Sequence, residues 1–368
     1  MKLRASQRPW TPRPPPRTLE QTMTRPSPLV ILGCTAALAM QAALAAPAID
    51  PTTDLVPGPS TMQPFAPGDV FVAATVMNNP DDDHAGIGRV IQYDADLKPK
   101  GVLWLTGSTH KVGGLTFGPD GTLWSMAQLT PVVMEISPDG TQKPVRKYSD
   151  HKYSSITFGK DGSLYFCDHM KGKETGHPLV TTKFRLLPGR DVIGTGHIYR
   201  HAADGRLLKE YQNDTGGAPF DFLACTSTVL TDDDRRMIYV TENGFRVMQY
   251  DLANDRQLPD LAKFQGDPRV PMVLVMNANA TGPLFISTAN GFLTMDRDTG
   301  KVLRHYPLQG MGWAAVNPAP DGQFAFIGNF FTGDIVKVRL ADGAVVAKNN
   351  IGQKESLSGV AQYAGKAR

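Results

Sequence analysis

The sequence predicts an all-β protein, a six-bladed β-propeller closed by a C-terminal strand that completes the first blade. Three observations predict it. His110–Trp124 reads His-Lys-Val-Gly-Gly-Leu-Thr-Phe-Gly-Pro-Asp-Gly-Thr-Leu-Trp, and 41 residues later His151–Tyr165 reads His-Lys-Tyr-Ser-Ser-Ile-Thr-Phe-Gly-Lys-Asp-Gly-Ser-Leu-Tyr. That period is the length of one four-stranded blade. Short apolar runs are cut by Asp-Gly and Asn-Gly turns throughout a chain of 368 residues with 36 Gly and 29 Pro, a strand-and-turn composition. Finally, no inner strand precedes Asp69, while Gly359–Tyr363 is left over after the sixth repeat. Joining those two ends closes the ring and protects the sheet edges.

The elements follow in order. Residues 1–45 stand apart: 1–22 are rich in Arg and Pro, and from Met23 come Arg25, an apolar run Leu29–Leu44 and small residues at Ala43-Leu44-Ala45. This is the charged, hydrophobic and cleavage-site order of a secretory signal peptide, with translation expected to start at Met23 and cleavage after Ala45. A membrane anchor is the alternative, but the run falls short of the roughly 20 apolar residues a span needs. The expectation is a periplasmic or secreted protein with no stable membrane insertion after cleavage. A Pro-rich lead, 46–67, precedes the propeller, 68–368.

Blade 1 has strands at Asp69–Val76 and Arg89–Tyr93, and blade 2 runs from His110 to about Tyr148. Blade 3 begins at His151 and carries an insertion, 168–196, before resuming at His197-Ile198-Tyr199. Blade 4 uses Met237–Thr241 and Phe245–Asp251, blade 5 Pro283–Thr288 and Gly291–Asp296, and blade 6 Gln323–Gly328 and Asp334–Leu340.

Charge and cysteine content narrow the function classes. The formal charge of +3 falls to −2 once residues 1–45, with six basic and one acidic side chain, are removed. The basic balance therefore gives no argument for a nucleic-acid partner. Cys167 and Cys225 survive maturation; in an exported protein they form a disulfide or remain two buried thiols.

Radial symmetry turns the repeat into a map of a site. Aligning the turns puts His110, His151, Ala224, Pro271 and Met311 at one level, with Glu355 at the same level before the closing strand. Two imidazoles and a carboxylate around one cavity can hold a divalent cation, calcium or zinc. They can also act without metal, with a histidine as general base, or simply hydrogen-bond water. The candidate metal ligands are Glu355, His110, His151 and Asn329, and the candidate catalytic groups His110 and His151. Loops on the same face offer Asp81–Asp83, His84, Asp168, His169, Glu242, Asn243, Asn290, Trp313 and Phe330. Of these, Asp168, His169, Glu242, Asn243, Asn290, Trp313 and Phe330 are the candidate substrate-binding set. The Asp81–Asp83 run lacks the alternating ligand spacing of a calcium loop. Lys111 and Lys152 repeat beside the histidines, and strand alternation sends them between blades if the histidines face the channel. The insertion, with Lys171, Lys173, His177, Lys183, Arg185 and Arg190, is expected to act as a lid or wall that favours an anionic small molecule, or as a simple surface elaboration.

The phrases Gly114–Trp124 and Pro320-Asp321-Gly322-Gln323-Phe324-Ala325-Phe326 resemble the six-bladed propellers of the gluconolactonase and senescence-marker-protein superfamily. They are more loosely similar to virginiamycin B lyase-like and NHL-repeat propellers. The resemblance covers nearly all of 68–368. It implies a divalent ion in the channel that polarises a lactone or ester carbonyl, with Glu355 where that family's Glu is expected. Met311-Gly312 and Ala224-Cys225 stand where other ligands of that family would be. The expected function is metal-assisted hydrolysis of a lactone or related ester. The alternatives are a lyase with a histidine base and a non-catalytic periplasmic binding propeller.

Overall fold

The computed structural model describes residues 55–173, 181, 191–216, 222–231, 233–242 and 244–365. The expected leader, Asn243 and most of the insertion therefore lie outside the described residues. The described residues contain no helix. They form a six-bladed β-propeller, its blades being antiparallel sheets built outward from the channel.

Blade 1 pairs Val70–Met77 with Gly86–Tyr93 and then Pro99–Trp104. Its innermost strand is Gly359–Gln362 from the far end of the chain, with Val70 opposite Gln362 and Ala73 opposite Gly359. Blade 2 uses Val112–Phe117, Leu123–Ala127 and Val133–Ile136, and blade 3 Tyr153–Phe158, Leu164–Asp168, Ile198–His201 and Leu207–Tyr211. Blade 4 starts with Cys225–Leu230, Arg236–Thr241 and Arg246–Asp251, and blade 5 runs Met276–Ala278, Leu284–Ser287, Gly291–Met295 and Val302–Pro307. Blade 6 is Trp313–Pro318, Phe324–Asn329, Asp334–Arg339 and Val345–Asn350.

Local chemistry fixes the hairpins. Asp120 Oδ1 accepts the Thr122 N–H at 3.0 Å, and Gly121 takes φ 82°, a conformation a side chain disfavours. The same Asp-to-i+2 bond recurs at Asp139, Asp161, Asp321 and Asp342. The repeat visible in the sequence is thus a repeat of one turn.

The core lies between blades, not at the centre. Phe71 and Leu103 of blade 1 pack on Val112 and Met134 of blade 2. Trp124 meets Tyr153 and Phe166, Ile198 meets Met237, Val247 meets Ile286, and Phe292 meets Val336. Val360 of the closing strand packs with Val72 and Phe326, sealing blade 6 to blade 1. Each fully buried aliphatic side chain contributes roughly 1.5–3 kcal/mol, so the ring holds together through its flat faces. The lead belongs to this packing: the Phe65 ring lies 4.5 Å from Phe71 and 5.6 Å from Tyr363.

Around the channel, inner strands of adjacent blades are joined by side chains. Ser154 Oγ donates to the Cys225 carbonyl at 2.8 Å, Thr226 Oγ1 to the Leu274 carbonyl at 2.6 Å, and Ser358 Oγ to the Val112 carbonyl at 2.5 Å. Short hydroxyls satisfy backbone groups where no ladder can form and leave the bore wide. A disulfide joins Cys167 of blade 3 to Cys225 of blade 4.

Candidate functional site at the channel mouth

The bore opens into a chamber of about 1060 Å³. Its waist is lined by small and apolar residues such as Gly114, Leu115, Ala315 and Val360. At one end, loops from five blades and the closing segment bring together Asp83, His84, Lys111, His169, Glu242, Phe330 and Glu355. Leu129, Met170, Ile193, Phe222 and Leu223 form a small apolar cluster beside them.

The roots of the insertion pair with each other and pack into this apolar cluster through Met170 and Ile193. Lys171–Gly172 pairs with Gly194–Thr195 as a two-stranded ribbon, and Met170 bridges Leu223. Thr181 Oγ1, within the insertion, accepts the Asp83 N–H of blade 1 at 2.8 Å. His177, Lys183, Arg185 and Arg190 lie outside the described residues.

Lys111 is the central group. Its backbone is clamped between blades, its N–H donating to the His84 carbonyl and its own carbonyl accepting from Gln128. The residue is 3% exposed, and its Nζ lies 4.4 Å from the centre of the Phe330 ring. Among the described residues no group hydrogen-bonds or ion-pairs with this amine. Burial pushes it down from 10.5 to about 8, against the pull of Asp83, Glu355, Glu242 and Asp82. His84 Nδ1 lies 2.7 Å from Asp83 Oδ1, yet burial and then the Lys111 charge lower the imidazole to about 4, so it is neutral at pH 7. His169, 6% exposed, holds Nε2 at 3.4 Å from Glu242 Oε2, while its Nδ1 is buried without a partner.

The structure brings His169, Glu242, Phe330 and Glu355 of the sequence-predicted residues to this mouth; Asn243 lies outside the described residues, and the remaining six do not line the chamber. His110 does not line the chamber; its Nδ1 lies 2.8 Å from Thr109 Oγ1 and its Nε2 3.5 Å from Asp82 Oδ2. His151 is buried against its own blade, with Nδ1 at 2.8 Å from Asp168 Oδ2 and its ring 4.3 Å from that of Tyr199. Asp168 is fully buried and also accepts the Thr195 N–H, anchoring the insertion. Asn329 is used up by the Met311 carbonyl and the Phe331 and Thr332 N–H groups. Asn290 Oδ1 lies 3.0 Å from Thr288 Oγ1, and Trp313 donates to the Gln309 carbonyl.

The physical reason is a β-bulge near the start of the inner strands. The register slips between Gly113 and Thr116, Tyr153 and Ser155, Cys225 and Ser227, and Trp313 and Ala315. A bulge inserts a residue and reverses which side chains face the channel. Lys111, expected between blades, consequently lines the chamber. The repeated His-Lys pair signalled it, but parity counted through the strand chose the wrong member.

The expected metal shell does not assemble. Glu355, His110 and His151 are not a ligand set, and Asn329 has no free oxygen or nitrogen to offer. Among the described residues only Asp82, Asp83 and His84 place three such ligand atoms within 4.8 Å. Asp82 Oδ1 there accepts the His84 and Ala85 N–H groups, so the group is a loop closed on itself, and no ion is assigned to it.

No family model matches the chain, and no curated protein matches it. Among solved structures, a chain of the nidogen/laminin complex matches with TM-score 0.54 at 13% identity, covering 80% of this chain and 97% of that one. A protein of unknown function from Bacteroides caccae matches with TM-score 0.54 at 12% identity, covering 80% and 98%. Virginiamycin B lyase from Staphylococcus aureus matches with TM-score 0.42 at 14% identity, covering 67% and 71%. At these identities the first two likenesses establish the fold alone, and the third adds nothing to them. The class defined here is a six-bladed propeller with an apolar bore and a polar, titratable mouth.

Proposed function

We propose that the protein is an exported enzyme that hydrolyses an uncharged lactone or related ester at the channel mouth. The observation that carries this reading is the juxtaposition of Lys111, Glu242 and His169 at the rim of a chamber large enough for a small molecule. Glu242 is the general base for water and His169 orients it. The Lys111 ammonium, which has no hydrogen-bond acceptor among the described residues, donates to the carbonyl oxygen as negative charge develops there. Water adds to the carbonyl carbon, its proton passes to Glu242, and the ring C–O bond breaks. The leaving oxygen takes that proton. The product carboxylate then meets Asp83, Glu242 and Glu355, whose charges favour its release.

The same carboxylates disfavour an anionic substrate, despite the basic insertion. The leader pattern supports export, and so does the Cys167–Cys225 disulfide, since such bonds persist in oxidising compartments.

The test is proton release at constant pH from a panel of uncharged lactones and esters. Turnover is expected from the wild type, and Glu242→Gln should lose about 10²–10⁴-fold of it. Absence of proton release across the panel, or full activity in the Gln variant, refutes the reading.

A further inference from the structure

Lys111 carries a chemistry that hydrolysis does not use. Its side chain is almost wholly buried, faces an open chamber, and has no hydrogen-bond or ion-pair partner among the described residues. One side of the amine is covered by the Phe330 ring. Lysines held for structural reasons end on a carboxylate or carbonyl, as Lys100 does on Asp69 at 2.6 Å and Lys337 on the Ala95 carbonyl at 2.9 Å. Lys111 ends on space that a ligand can fill.

We propose that Lys111 captures uncharged aldehydes and ketones in the channel as imines, a covalent binding activity that stands without the hydrolytic reading. The neutral amine adds its electron pair to the carbonyl carbon, and a proton moves from nitrogen to oxygen to give a carbinolamine. Protonation of that hydroxyl releases water and leaves a C=N bond; water reverses both steps, so no oxidant or reductant is consumed. Glu242 and Glu355 line the same mouth and can move the protons.

The ligand class follows from the surroundings. Leu115, Ala315, Met276 and Val360 favour an apolar body. Asp82 and Asp83 from blade 1, Glu242 from blade 4 and Glu355 from the closing segment repel an anion but tolerate a neutral carbonyl. These carboxylates hold a proton on the amine, the side chains of His84 and His169 from blades 1 and 3 line the same mouth, and burial removes the proton. The balance leaves Lys111 near 8, so at pH 7 its neutral fraction is about 300-fold that of an exposed lysine.

The wild-type protein is treated with benzaldehyde and sodium cyanoborohydride at pH 7, and chymotryptic peptides are weighed over time, with the α-amino group scored separately. Benzylation of Lys111 is expected at least about tenfold faster than of the exposed Lys301 and Lys354, allowing for the lower nucleophilicity of a less basic amine. Its rate should level off as pH passes about 8, while that of surface lysines keeps rising toward 10.5. Lys111→Arg should remove this fast adduct and leave surface labelling unchanged. Labelling of Lys111 no faster than of Lys301, or a pH profile shared with the surface lysines, overturns the proposal. Because the wild type supplies the decisive rates, neither a misfolded variant nor the absence of lactone hydrolysis can imitate that result.

Discussion

Replacing Lys111 by Met keeps the length of the side chain and removes the amine, and it should make the protein more stable at neutral pH. Burying the ammonium lowers it from 10.5 to about 8, which corresponds to about 3 kcal/mol against folding while both states are protonated. The sign follows from proton binding. Between about 8 and 10.5 the unfolded chain holds the proton and the folded protein has released it, so wild-type stability rises with pH in that window. Lys111→Met should therefore gain about 1–3 kcal/mol at pH 7, less near pH 10 and almost nothing above 10.5. The loss of the Phe330 contact removes some of this, about 1 kcal/mol. Urea unfolding of both proteins at pH 7, 9 and 10.5, compared at equal m-value, measures the difference. A variant less stable than wild type at pH 7, or a gap that does not narrow on raising the pH, refutes the reasoning. A destabilising amine retained at a channel mouth is the pattern of a group kept for its chemistry.

Three further predictions concern the frame around the mouth. Changing Cys167 and Cys225 together to Ala opens a link across 58 residues of chain and should lower stability by about 2–4 kcal/mol; free-thiol counts and denaturant midpoints check it, and an unchanged midpoint is the contrary result. His84, neutral in the fold down to about pH 4, accepts a proton in the unfolded chain below 6.5. Stability should fall by up to about 3 kcal/mol as pH drops between those values, and His84→Gln should flatten that fall in acid titrations monitored by circular dichroism. Gly114 has φ 60°, and a Cβ there would collide with the Ser154 carbonyl of blade 3. Gly114→Ala should cost about 2–5 kcal/mol, and a thermal midpoint equal to wild type would contradict this placement of the two inner strands.

The fold was legible because its signals are local. The short apolar run of strands such as Phe324–Asn329, the Asp-to-i+2 turn at Asp120 and its copies, and the unmatched strand Gly359–Gln362 each depend on a few adjacent residues. Chain closure followed from counting strands. The site was legible by loop: His169, Glu242, Phe330 and Glu355 do reach the mouth. It was not legible by facing. His110 and His151 do not line the chamber, and each inner strand in blades 2 and 3 slips its register near its start. One extra residue is invisible in a pattern whose period is two.

The sequence by itself determined six repeats, their turns and the strand that ties the ends, because short-range hydrogen bonding and short apolar runs suffice for these. Only the tertiary structure decided that Lys111, and not His110, enters the channel, and that neither His151 nor Lys152 lines it. Bulges set the facing, and packing between neighbouring blades sets the bulges. It also decided that Lys111 is buried without a hydrogen-bond or ion-pair partner among the described residues, since solvation and charge at the mouth are sums over residues from five blades and the closing segment.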